Sequence, residues 1–178
     1  MRLFVALELP AEARTRLLQM ATGLAGARWL PPENLHLTLR FVGEMPGHRA
    51  EDLDEALAAL RGRGFSLQLS GVGVFEKAGR SQALWAGVER NQQLDHLQNK
   101  IEMAVQRAGF APERRRFTPH VTLARLDQSP PDKLAGWVQA HNLLRAGPLP
   151  VGHFTLFSSL LAKDGAVYTA EVDYPLGQ

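Results

Sequence analysis

The chain has 178 residues, 45% hydrophobic and 21% charged, with no cysteine and a formal charge of +2. That length serves one domain with a sizeable core, and the mixed charge excludes wholesale disorder. The absence of thiols excludes disulfides, thiolate metal centres, cysteine nucleophiles and iron–sulfur clusters.

In chain order, Leu3, Val5, Leu7 and Leu9 alternate with Phe4, Ala6 and Glu8, which reads as a strand. This N-terminal apolar run is too brief for a secretory signal. No stretch approaches the roughly 18 apolar residues of a bilayer span, so the expectation is a soluble, cytoplasmic protein. Pro10 opens a helix expected over Ala11–Leu24, and Pro31-Pro32 breaks the chain. Leu35–Val42 reads as a strand closed by Gly43. Ala50–Leu60 reads as a helix whose first turn carries Glu51, Asp52 and Asp54, favourable to the helix dipole. Phe65–Phe75, interrupted by Gly71 and Gly73, and Ala83–Val88 read as paired strands across the Lys77–Arg80 turn.

Gln92–Ala108 reads as a helix ended by Gly109, Thr118–Leu126 as a strand, and Asp132–Leu144 as a helix begun after Pro130-Pro131. His153–Leu161 and Val167–Tyr174 read as a terminal hairpin turning at Lys163-Asp164-Gly165. Mixed helices and tight hairpins place the chain in the α+β class with antiparallel pairing. No linker or low-complexity stretch appears, so residues 1–178 form one domain. A boundary between two lobes is expected near residue 90.

One motif occurs twice. His36-Leu37-Thr38-Leu39 recurs as His120-Val121-Thr122-Leu123, close to half a chain later. A repeat at half-length implies duplicated lobes related by a pseudo-twofold axis. On a strand the histidine and threonine share one face, and the two aliphatic residues anchor the other. Two such strands would set two imidazoles across a cleft. One neutral ring can accept a proton while the other, protonated, donates one, because the reference pKa near 6.5 allows both forms. The threonine hydroxyls suit the non-bridging oxygens of a phosphate. This chemistry needs no metal. The remaining histidines, His48, His96, His141 and His153, lack the repeated context and read as surface or structural.

These residues resemble the 2H phosphoesterase superfamily, closest to its bacterial RNA 2′,3′-cyclic phosphodiesterase branch, historically called 2′-5′ RNA ligase. The resemblance is carried by Arg2–Leu7, Asn34–Glu44, Phe117–Arg125 and Phe154–Ser159. It implies a bilobal fold with two antiparallel sheets lining a central cleft and helices outside. It also implies hydrolysis of a terminal 2′,3′-cyclic phosphate on RNA, possible substrates including tRNA fragments, to a 2′-phosphomonoester. By motif order, the resemblance makes His36 the proton donor to the departing 3′ oxygen and His120 the base that activates water. Thr38 and Thr122 become phosphate ligands.

The resemblance further implies a phosphate contact for Arg125 and base stacking by an aromatic side chain. Arg125 follows His120 by five positions and Phe41 follows His36 by five, so strict alternation puts both on the wrong face. Their roles require a bulge or strong twist. Arg40 satisfies the alternation and is the rival phosphate contact. Core packing is the preferred reading of Phe41, with stacking the alternative, and Phe4 is a further cleft candidate.

Sixteen of the 20 basic residues are arginine, whose planar fork suits phosphate, although codon bias gives the same composition. Arg114–Arg116 could attract an RNA backbone, and Trp85 could stack a base or fill the core. No phosphate-binding loop of the G-x-x-x-x-G-K-[ST] type is present, so no cofactor, and no ATP, is expected. The expected partner is RNA ending in a 2′,3′-cyclic phosphate, acted on by a monomer without a membrane. The alternatives are 2′-5′ ligation by the reverse reaction, action on a small cyclic phosphate, and an RNA-binding module without catalysis.

Overall fold

The structure is a computed structural model and describes residues 1–177. Among the described residues, nine strands and four helices are interspersed in chain order. They are β1 (Arg2–Glu8), α1 (Ala11–Leu18), β2 (Ala27–Trp29), β3 (His36–Glu44), α2 (Gly47–Ala58), β4 (Phe65–Lys77), β5 (Arg80–Val88), α3 (Gln92–Arg107), β6 (His120–Leu126), α4 (Pro131–His141), β7 (Arg145–Val151), β8 (His153–Ala162) and β9 (Gly165–Pro175). A single 3-10 turn, Pro32–Asn34, precedes β3.

The strands form one antiparallel sheet in the order β7-β4-β5-β6-β3-β1-β8-β9, with β2 beside β6. The order is palindromic about its middle: β6-β5-β4 on one side answers β3-β1-β8 on the other. The two antiparallel halves join at one residue pair, Leu37 opposite Val121. These are the residues directly after His36 and His120, so the repeated motifs meet at the pseudo-twofold axis.

Each half draws on both parts of the chain. β4 and β5 precede residue 90 but pair with β7 and β6, which follow it. β8 follows it but pairs with β1. A lobe boundary near residue 90 therefore does not describe the sheet; the lobes exchange strands.

Alternation along β1 sorts its side chains. Leu3, Val5 and Leu7 enter the large core beneath the helices, while Phe4 and Ala6 form a small separate cluster with Phe157 on the opposite face. The helices cover the first face through apolar stripes such as Leu94, Leu97, Ile101 and Val105 of α3. The second face is left open as a concave surface.

Several elements depart from expectation. α1 stops at Leu18 rather than Leu24: the amides of Met20 and Ala21 turn to the carbonyls of Leu17 and Leu18, three residues back, and Gly23 at φ near +80° then redirects the chain. α2 begins at Gly47, immediately after the extended Pro46, so the acidic residues fall beyond its first turn. β7 lies in a segment with Pro148 and Pro150 that carries no strand signal. It is an edge strand, where proline is tolerated, and Leu67–Leu149 and Phe65–Val151 pairing holds it. β2, three residues long, is too short to read from a sequence pattern.

Candidate active site

Both motif strands carry a bulge at the same place. In β1–β3 pairing, Val5 faces Arg40 and the next residue, Ala6, faces Thr38, so Leu39 is the extra residue. In β5–β6 pairing, Leu84 faces Ala124 and Trp85 faces Thr122, so Leu123 is extra. A bulge shifts every later side chain to the other face. Leu39 and Arg40 are consequently both buried, as are Leu123 and Ala124, and the fifth residue after each histidine returns to the open face.

The result is one cleft of about 290 Å³ whose walls include His36, Thr38, Phe41, His120, Thr122, Arg125, Phe4, Arg2, Asn34 and Tyr168. Phe41 is 45% exposed in this cleft, which overturns the core-packing reading. Phe4 lies at the cleft floor, 3% exposed, with its ring centroid 5.0 Å from that of His36.

Arg40 is not brought to the site. It is 6% exposed and pairs with Glu102 of α3 through Nε at 2.6 Å, while other nitrogens donate to the carbonyls of Phe41 and Ala111. The bulge turned it inward, so its proposed phosphate contact is withdrawn. Burial would raise the Glu102 carboxyl, but hydrogen bonds from Arg40, the Glu113 N–H and Gln106 outweigh it and hold the group below the usual carboxylate range.

The two imidazoles are anchored alike. His120 Nδ1 donates to the Thr118 carbonyl at 2.7 Å, which leaves Nε2 as the acceptor of the neutral ring. The His36 ring hydrogen-bonds to the backbone of Asn34, again two residues upstream. Each ring also meets a phenylalanine from the exchanged strand: Phe157 lies 5.9 Å from His36 and Phe75 lies 4.7 Å, edge-on, from His120. The His36 environment is the more apolar, with Phe4, Phe157 and Tyr168 around it. Burial pushes His36 down to about 4; the Asn34 hydrogen bond opposes this and the charge of His120 adds to it.

Sequence reading missed Tyr168, Asn34 and Arg2. The β8–β9 hairpin bends over the cleft, and Asn34 Nδ2 donates to the Ala166 carbonyl at 3.0 Å to hold it there. That bend brings Tyr168 within 5.2 Å of His36, a contact no local pattern encodes. Arg2 was legible only as the first residue of the Arg2–Leu7 stretch that carries the family resemblance. Trp85 and Arg114–Arg116 do not line the cleft: Trp85 lies against Gly73, and the arginines sit on an exposed loop. Among the described residues one group, Glu8, His153 and Asp173, brings possible metal-ligating atoms within 4.8 Å of one another, and none of the three lines the cleft.

The family model described as LigT like Phosphoesterase matches residues 7–85 and 87–168. The chain belongs to this family. A relative from Archaeoglobus fulgidus named RNA 2′,3′-cyclic phosphodiesterase is 30% identical over 171 residues, covering 94% of this chain and 96% of the relative. One of the same name from Escherichia coli is 32% identical over 182 residues, covering 94% and 92%. The crystal structure of TT0787 of Thermus thermophilus superposes with a TM-score of 0.82 at 29% identity and covers 100% of both chains. Among the described residues, no helix is long and apolar enough to cross a membrane.

Proposed function

We propose that the chain is an RNA 2′,3′-cyclic phosphodiesterase that opens a terminal cyclic phosphate to a 2′-phosphomonoester. The observation that carries this is the pair of bulged strands that put two imidazoles and two hydroxyls into one cleft. The names of its relatives support the same reading.

In the proposed reaction, water attacks phosphorus and the bond from phosphorus to the 3′ oxygen breaks. His120 accepts the water proton at Nε2, the atom its Thr118 hydrogen bond leaves open. His36 gives its proton to the departing 3′ oxygen. Thr38, Thr122 and Arg125 hold the non-bridging oxygens, where charge accumulates. Phe41 stacks the terminal base and Phe4 floors the pocket beside His36. The two rings supply both proton transfers, so this route needs no metal.

His36, near 4 in the free protein, is neutral at pH 7. An anionic phosphate between the rings favours the imidazolium form, so the proton that the acid requires is taken up with the substrate. Both motif strands belong to one chain, so the proposed reaction is complete in a monomer acting as one domain.

The test is a short RNA with a 2′,3′-cyclic phosphate, incubated in EDTA without nucleotide. Wild type should yield a 2′-phosphate. His36→Ala and His120→Ala should each lose about 10²–10⁴ in rate. A 3′-phosphate product would reverse the assigned orientation, and no turnover by folded wild type would overturn the proposal.

A further inference from the structure

We propose that Arg2 holds the phosphodiester on the 5′ side of the terminal nucleoside, so that the cleft selects the end of an RNA strand over a mononucleoside cyclic phosphate. This rests on the phosphodiesterase reading above and concerns what the same cleft accepts.

Three observations carry it. Arg2 lines the cleft with the two histidines, on the same face of β1 as Phe4. It precedes Phe4 by two positions, about 6.6 Å along a strand. Phe4 is in contact with His36, so Arg2 lies further out than the reacting phosphate. Its guanidinium carbon is 5.4 Å from the centroid of Phe41, the ring assigned to the terminal base. It is therefore placed beside the terminal nucleoside, on the side away from the chemistry.

Charge supplies the third argument. A cyclic phosphodiester carries one negative charge, and Arg125 in the same cleft already answers it. Arg2 is a second cation there. Among the described residues neither arginine is ion-paired. A second cation free of protein carboxylates, in a cleft walled by Phe41, Leu161 and Tyr168, matches a second phosphate. A mononucleoside substrate offers no such group.

The experiment compares a dinucleotide bearing one internal phosphodiester and a terminal 2′,3′-cyclic phosphate with the mononucleoside 2′,3′-cyclic phosphate. The quantity read is the ratio of kcat/KM for the two. Wild type should favour the dinucleotide, and Arg2→Ala should lower that ratio about tenfold or more. Arg2→Lys keeps the charge and should retain most of the preference. As a measurement without any variant, log kcat/KM in wild type should fall more steeply with salt for the dinucleotide, whose additional phosphate Arg2 attracts and salt screens. An unchanged ratio in Arg2→Ala, an equal loss in Arg2→Lys, or equal salt slopes would overturn the inference while leaving the phosphodiesterase reading intact. Turnover of neither substrate by wild type would overturn both.

Discussion

His36 is the residue whose surroundings most constrain the chemistry. Burial holds its ring at about 4 in the folded chain, against an ordinary value of 6.5. The folded state therefore binds fewer protons than the unfolded state between these values. Stability from this group is present in full above pH 6.5 and is lost as pH falls towards 4, by up to about 3 kcal/mol. Urea titrations from pH 7 to 4.5 should accordingly show a steeper fall in wild type than in His36→Asn, which has no proton to gain. The same depression predicts proton uptake on binding. Calorimetry of a 2′-nucleotide at pH 7, in buffers of different ionisation enthalpy, should register close to one proton taken up by wild type and much less by His36→Asn. The paired histidines of the cleft were legible in the sequence because the tetrapeptide occurs twice and the spacing within it is a strand period. Tyr168 and Asn34 were not, since their contacts with the site span more than a hundred residues or depend on a bent hairpin.

Among the elements, the two bulged strands decide which side chains reach the cleft. Simple alternation favoured Arg40 over Phe41 and Arg125, and the extra residue in each strand reverses that order. Nothing in the local composition marks Leu39 or Leu123 as extra, because a bulge is a property of the pairing. Arg40 instead clamps β3 to α3 and to the loop after it. Arg40→Ala should destabilise the fold by about 1–3 kcal/mol, since it empties a buried site and leaves the partly buried Glu102 with only Gln106 and the Glu113 N–H. A urea unfolding curve measures this. Trp85 and Gly73 form another such dependence. A Cβ on Gly73 would lie 2.2 Å from the Trp85 indole, so Gly73→Ala should cost about 1–3 kcal/mol. Combining it with Trp85→Val should cost less than the sum of the two changes. The glycine interruption was visible in the sequence, but the ring that requires it was not.

The whole molecule is held together by exchanged strands. A half-chain repeat was readable, and with it the paired histidines and the α+β class. The repeat does not say which copies pair, because long-range strand choice depends on the faces that become buried together. A chain cut at residue 90 tests the arrangement. Fragments 1–90 and 91–178 should each lack cooperative folding, since β5 is parted from β6 and β1 from β8. Mixed from denaturant, they should recover a cooperative transition by circular dichroism.

The seam between the sheet halves is a single residue pair, Leu37 opposite Val121, with a histidine immediately before each member. The two histidines thus sit where the two repeats coincide, and the other cleft side chains sit outward from there. Arg2, Phe41 and the β8–β9 hairpin lie on one repeat's side of that centre, with no twin of the same kind on the other. Under the proposed function, a substitution at those outer positions would change what is gripped and leave the two histidines in place. The seam serves both repeats at once and the rim only one, so substrate preference can be re-engineered at the rim without touching the proposed acid and base.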